Sequence, residues 1–123
     1  MENEVFINKL ISGTKNGKVE WRPAKSNKLH SLYQPYYIEN GDKKLVLEKY
    51  NTMEYDGYGE EVQSANCMLS ICDDEFNTIS EIYEDDLKRS SDLWRLYRLA
   101  ERKVNKVDDI MEGFIEGIDD IDF

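Results

Sequence analysis

The side chains that enzymes assemble into reaction centres are scarce in this chain. His30 is its only histidine, so a zinc site of two or more imidazoles is excluded, and we read His30 as a surface or strand residue near a loop. Cys67 and Cys72 are the only cysteines. Their spacing puts them on opposite faces of a strand, too far apart to bridge and unsuited to metal ligation. No Gly-rich phosphate loop ends in Lys-Ser/Thr, Gly57 and Gly59 lead into no helix that could supply an anion site, and no nucleophile elbow occurs. Asp73, Glu75, Asn77, Ile79, Glu81 and Glu84 match the ligand positions of a calcium loop. However, Thr78 stands where that loop needs glycine for its sharp turn, and the flanks read as strand rather than helix, so the segment is expected to be an acidic hairpin. Carboxylates are abundant, but a catalytic pair needs burial to separate its pKa values, and Asp85-Asp86 and Asp119-Asp120 read as solvated. The expectation is a protein that is not an enzyme and uses no cofactor or metal.

Two constellations suit binding. From residue 107 to the end there is no Lys or Arg. At helical spacing Val107, Ile110, Met111, Phe114, Ile115 and Ile118 form one stripe, and Asp108, Asp109, Glu112, Glu116, Asp119 and Asp120 centre almost opposite it. Carboxylates three and four apart repel one another, and nothing within the helix offsets this. Such rows could imitate a phosphate backbone and dock on the basic groove of a nucleic-acid-handling or defence enzyme, where complementary charge accelerates and orients association. The plain alternative is a solvated face that keeps the protein soluble. The second constellation is Tyr33, Tyr36, Tyr37, Tyr50, Tyr55 and Tyr58, interleaved with Lys43, Lys44 and Lys49. Tyrosine offers a large contact area with a polar tip, so an exposed tyrosine face of a sheet could accept a peptide or a small nucleotide-like ligand. Tyrosine is also simply a good strand residue. Tyr36 and Tyr37 are adjacent, so on a strand one must face away from the core.

The elements that must position these groups follow from periodicity. Residues 2–12 space Val5, Phe6 and Leu10, with Ile7 and Ile11 at the edge, as a short helix, stopped at Gly13 and at Lys15-Asn16-Gly17. Residues 19–22 alternate as a strand that Pro23 limits, and residues 23–28 form a polar loop. Residues 29–39 lead into Asn40-Gly41, a strong hairpin signal, and residues 43–50 return as the next strand. Residues 56–61 read as a mobile loop. Cys67, Leu69 and Ile71 alternate with Asn66, Met68 and Ser70, and a further strand carries Ile79, Ile82 and Tyr83. After Asp85-Asp86, placed to cap a helix, Leu93, Trp94, Tyr97, Ala100 and Val104 share a helical face. Asn105 and Asp108 resemble a capping arrangement that begins a separate last helix.

The fold class is therefore α+β: an N-terminal helix, an antiparallel meander of four or five strands, and two C-terminal helices packed on one face of the sheet. The chain has 123 residues, which suits one domain spanning all of them. No apolar run approaches a bilayer span and the first residues are acidic, so a cytoplasmic protein with no membrane association is expected. Net charge is −10 and uneven: residues 1–55 carry nine basic and seven acidic groups, residues 56–123 seven and nineteen. The acidic half disfavours direct nucleic-acid contact and favours a basic protein partner.

The runs Leu10-Ile11, Thr14, Gly17, Val19, Trp21 and Leu93-Trp94, Leu96-Tyr97, Ala100 resemble small uncharacterised proteins of bacterial and prophage genomes, over nearly the whole chain. That resemblance carries no agreed activity and transfers no site residues. It implies a mobile-element or host-defence setting. The leading expectation is an acidic, non-catalytic inhibitor or immunity-type protein, used in phage or mobile-element counter-defence, that docks its carboxylate-rich helix on a basic protein. The alternative is the tyrosine-rich binding module.

Overall fold

The computed structural model describes every residue except 27, 30–32 and 120–123, and describes Asp119 by its backbone alone. Its elements are α1 (Asn3–Lys15), β1 (Arg22–Pro23), β2 (Tyr36–Asn40), β3 (Lys43–Tyr55), β4 (Glu61–Asp73), β5 (Thr78–Tyr83), a 3-10 turn (Glu84–Asp86), α2 (Ser91–Val104) and α3 (Val107–Asp119). The five strands form one antiparallel sheet in sequence order, so the α+β class and the meander are as expected. His30 lies outside the described residues.

Helix α1 runs through Gly13, where the sequence suggested a stop, and ends at Lys15 with Gly17 at φ 75° just beyond. Gly13 serves the turn in another way. Its carbonyl accepts the N–H groups of Lys18 and Val19, and a Cβ at Gly13 would lie 2.7 Å from Val19 Cγ2. Only glycine allows the returning chain to pass so close to the helix. The contact sets up a buried relay: Trp21 Nε1 donates to Thr14 Oγ1 at 2.9 Å, and that hydroxyl donates to Leu10 O at 2.7 Å. The strand read at residues 19–22 shrinks to Arg22–Pro23, an edge pairing that suits a residue with no N–H.

The β2–β3 turn lies one residue later than Asn40-Gly41 implied. Asn40 pairs with Lys43, leaving Gly41 and Asp42 as the central residues, and only Gly41 has positive φ. Glycine at the first central position is the type II′ solution for a two-residue hairpin. Strands β3 and β4 pair from Lys43↔Asp73 out to Tyr55↔Glu61, whereas β2 reaches only Leu47 and β5 only Met68. Their outer half is thus a two-stranded arm. The loop expected to be mobile is a tight tip, in which Asp56 Oδ1 accepts the N–H groups of Tyr58 at 2.8 Å and Glu60 at 2.9 Å.

Alternation sorts the sheet into two faces. Tyr36, Leu47, Cys67, Leu69 and Ile82 point to the side where α2 lies and are buried with Leu93, Leu96, Tyr97 and Ala100 of α2 and Ile7, Leu10 and Ile11 of α1. Cys67 Sγ reaches Leu93 O at 3.6 Å across this layer. Helix α1 packs chiefly on α2. The opposite face bears Val46, Ser70 and Cys72, also buried, and the β1–β2 connection extends as far as the β4–β5 turn, where Lys28 Nζ donates to Asn77 Oδ1 at 2.9 Å. Asp85-Asp86 does not cap α2. It belongs to the 3-10 turn, with Asp86 Oδ2 accepting the Tyr83 N–H, and α2 starts five residues beyond Asp86.

The break between the last two helices falls where Asn105 and Asp108 placed it, with Lys106 at φ 52°. The packing of α3 differs from expectation. Helix α2 covers the sheet, but Ile110, Met111, Phe114, Ile115 and Ile118 are each more than half exposed. The reason is space: α1 and α2 already fill the single layer above the sheet, so α3 is left outside it and touches chiefly the end of α2.

Replacing Thr14 with Val keeps the shape but removes the acceptor for the buried Trp21 N–H. It should cost about 1–3 kcal/mol of stability, read as a lower urea midpoint with unchanged m-value. A midpoint equal to wild type would show that the relay does not tie β1 to α1.

Candidate interaction surface

The six tyrosines do not form one face. Tyr36 is buried in the main core, its ring centroid 5.6 Å from that of Tyr97, whose hydroxyl donates to Gln34 O at 2.8 Å. Burial pushes both phenols above the usual tyrosine range. Tyr37 points the other way, edge-on to Phe76 at 5.5 Å, with Lys44 Nζ 4.3 Å from the Phe76 centroid. Tyr33 lies under Lys49 Nζ at 4.1 Å and donates to Asn51 Oδ1. Tyr50 is half-buried at the root of the arm, and burial raises its phenol. Tyr55 and Tyr58 stand exposed at the arm's tip, 72% and 94% accessible. The alternation of Tyr36 and Tyr37 is as the sequence required, but the fold puts Tyr36 in the core and Tyr55 and Tyr58 at the end of the arm.

The calcium-like segment is a hairpin turn. Asp73 Oδ1 accepts the N–H groups of Glu75 and Asn77, and Asp73 Oδ2 accepts Asn77 Nδ2 at 2.9 Å. The hydrogen bonds from Asn77, side chain first and then backbone, hold the Asp73 carboxyl below the ordinary range. Among the described residues no group of three or more His, Cys, Asp or Glu side chains could hold a metal ion.

The acidic helix is a coherent surface. Asp108, Asp109, Glu112 and Glu116 are all exposed; the side chain of Asp119 and all of Asp120 lie outside the description. Among the described residues one of these carboxylates has an ion-pair partner: Asp108 Oδ1 accepts Arg102 Nε at 3.1 Å and also pairs with Arg102 Nη2, which reaches Met111 Sδ at 3.4 Å. The same helix shows the solvent an apolar stripe of five large side chains. It is 13 residues long, close to the length at which an isolated helix is marginal in water. Gly113 and Gly117 weaken it further, by roughly 1 kcal/mol each relative to alanine, and among the described residues no contact requires them, because a Cβ at either would meet open space.

Charge is segregated more finely than by halves of the chain. All seven basic residues of residues 56–123 lie between Lys88 and Lys106, a stretch with two acidic groups, whereas residues 107–123 hold seven acidic groups and no basic one. Arg95, Arg98, Arg102 and Lys103 lie on the exposed side of α2, so a basic helix is followed directly by an acidic one. Beside their junction is an open groove of about 500 Å³, with Val19, Trp21 and Val104 among its lining and Arg22, Lys103 and Lys106 at its rim. A narrower charge window would have exposed the basic belt, but no periodicity signals the groove, whose residues come from three separate elements.

No protein-family model, curated protein or solved structure matches this chain. Among the described residues no helix is long and apolar enough to cross a membrane.

Burial, and next the charge of Glu84, push the Cys67 thiol up to about 12. A thiol so raised stays protonated at pH 8 and is a poor nucleophile. Alkylation of the native protein at that pH should leave Cys67 unlabelled, and unfolding should expose it; rapid native labelling would refute its placement between the sheet and α2.

Proposed function

We propose that this chain is a non-catalytic protein-binding module of inhibitor or immunity type that presents α3 to a basic protein partner. The observation that carries the reading is the exposure of Ile110, Met111, Phe114, Ile115 and Ile118 of the α3 stripe next to its carboxylates. Contiguous exposed apolar surface rimmed by charge marks an interaction site on a soluble protein. The sequence made the carboxylates the contact. The exposed stripe supports a division of labour instead: Ile110, Phe114 and Ile118 enter a partner's groove and supply affinity, while Glu112 and Glu116 meet basic groups at its margin and supply orientation and association rate. A partner that handles nucleic acid provides such a margin, and we place the protein in a counter-defence setting.

Three tagged forms separate the roles in affinity capture from the native cell extract, followed by identification of the retained proteins. Wild type should retain a basic protein. Phe114→Ser should lose it, with affinity falling at least tenfold, because a buried aromatic anchor is worth about 2 kcal/mol or more. Glu112→Lys with Glu116→Lys should slow association and weaken the salt dependence of binding. Equal retention of the same proteins by all three forms would remove α3 from the account.

A further inference from the structure

Within one chain α3 and the groove at its base are complementary, yet the groove is open and the stripe uncovered. The groove has an apolar lining and a rim of Arg22, Lys103 and Lys106 against one carboxylate, Glu20. Helix α3 has the opposite character, an apolar stripe beside unbroken acid. The geometry points to a second copy of this chain as the occupant: two copies exchange their last helices across a two-fold axis, α3 of each lying in the groove of the other.

Three observations carry this pairing. The first is sign, since the helix with no cation would meet the cationic end of α2, which neutralises the repulsion among its carboxylates. The second is area. An apolar side chain of this size exposes on the order of 100 Å², so five supply about 500 Å² per helix, and two symmetric contacts with the groove walls they cover bury roughly 1,200 Å², the lower end of the range for specific interfaces. The third is position. Lys106 lies on the groove's rim and immediately precedes α3, so each helix departs from the edge of the site that receives its counterpart. That arrangement closes on itself as an isologous pair and leaves no open end for further growth.

The pairing does not depend on the proposed partner, and it uses the same helix, so a bound partner and the second copy would compete for α3. The test is sedimentation velocity on the purified chain. Wild type should sediment as a dimer at micromolar concentration. Arg22→Glu with Lys103→Glu and Lys106→Glu makes the groove acidic, and Asp109→Lys with Glu112→Lys and Glu116→Lys leaves α3 with three cations against Asp108 and Asp119, a net basic helix. Each variant should raise the dissociation constant at least tenfold and sediment as a monomer. Mixing the two variants restores opposite charge at both contacts, so a heterodimer should form; this outcome also establishes that both variants are folded. A wild-type monomer up to about 1 mM, or charge variants as dimeric as wild type, or no heterodimer on mixing, would overturn the pairing. A monomeric result would leave the partner reading standing, because capture from extract tests that separately.

Discussion

The molecule is organised around one apolar layer. Leu47, Leu69 and Ile82 from the sheet meet Leu93, Leu96 and Ala100 from α2, and Ile7, Leu10 and Ile11 of α1 close the layer from the side. Burying each large side chain is worth roughly 1.5–3 kcal/mol. A chain of 123 residues fills one such layer, with a smaller buried set of Val46, Ser70 and Cys72 on the opposite face. Much else follows from that arrangement. Helix α1 must lie against α2, and the Gly13 contact with Val19 and the Trp21–Thr14–Leu10 relay bring the chain back from α1 to the sheet edge. Whatever the layer cannot hold has to remain outside it, and the chief such element is α3.

An element left outside a full core can be a spacer or a contact. The composition of α3 argues for a contact. A helix meant only to be solvated needs no row of isoleucine, methionine and phenylalanine, and a stable free helix would carry oppositely charged neighbours and no glycine. Helix α3 has the apolar row, two glycines and no cation of its own. The missing cations lie just before it, on the exposed side of α2 and at the rim of the groove. The chain therefore carries both halves of a complementary surface. Whether the acidic half meets a basic protein or the matching half of another copy, the physics is the same: apolar burial supplies the affinity, and the separated charges set register and rate.

Much of the architecture was legible in the sequence because its signals are local. Period-two alternation around Cys67, Leu69 and Ile71 marked β4, and helical spacing from Leu93 to Val104 marked α2. The pair Asn105 and Asp108 located the break before α3 almost to the residue. Three things were not legible, each for a reason. The Asn40-Gly41 signal fitted two registers differing by one residue, and strand pairing chose between them. The length of the β3–β4 arm depends on where β2 and β5 stop, which no feature of β3 itself announces. The stripe of α3 reads identically whether it faces a core or a partner, since periodicity reports that a face is apolar and not what covers it. The tyrosines show the same limit from the other side, because proximity in sequence brought Tyr36 and Tyr58 into one list while the fold put one in the core and the other at the end of an arm.

The claim that holds these points together is that α3 is incomplete in a single chain and gains its order from what covers it. Native-state hydrogen exchange resolved by residue measures this directly. The account predicts that amides of α2 around Leu96, Tyr97 and Ala100 exchange only through global unfolding, while those from Ile110 to Ile118 exchange orders of magnitude faster in dilute solution and slow as protein concentration rises. Strong protection of α3 that is independent of concentration and equal to that of α2 would contradict it.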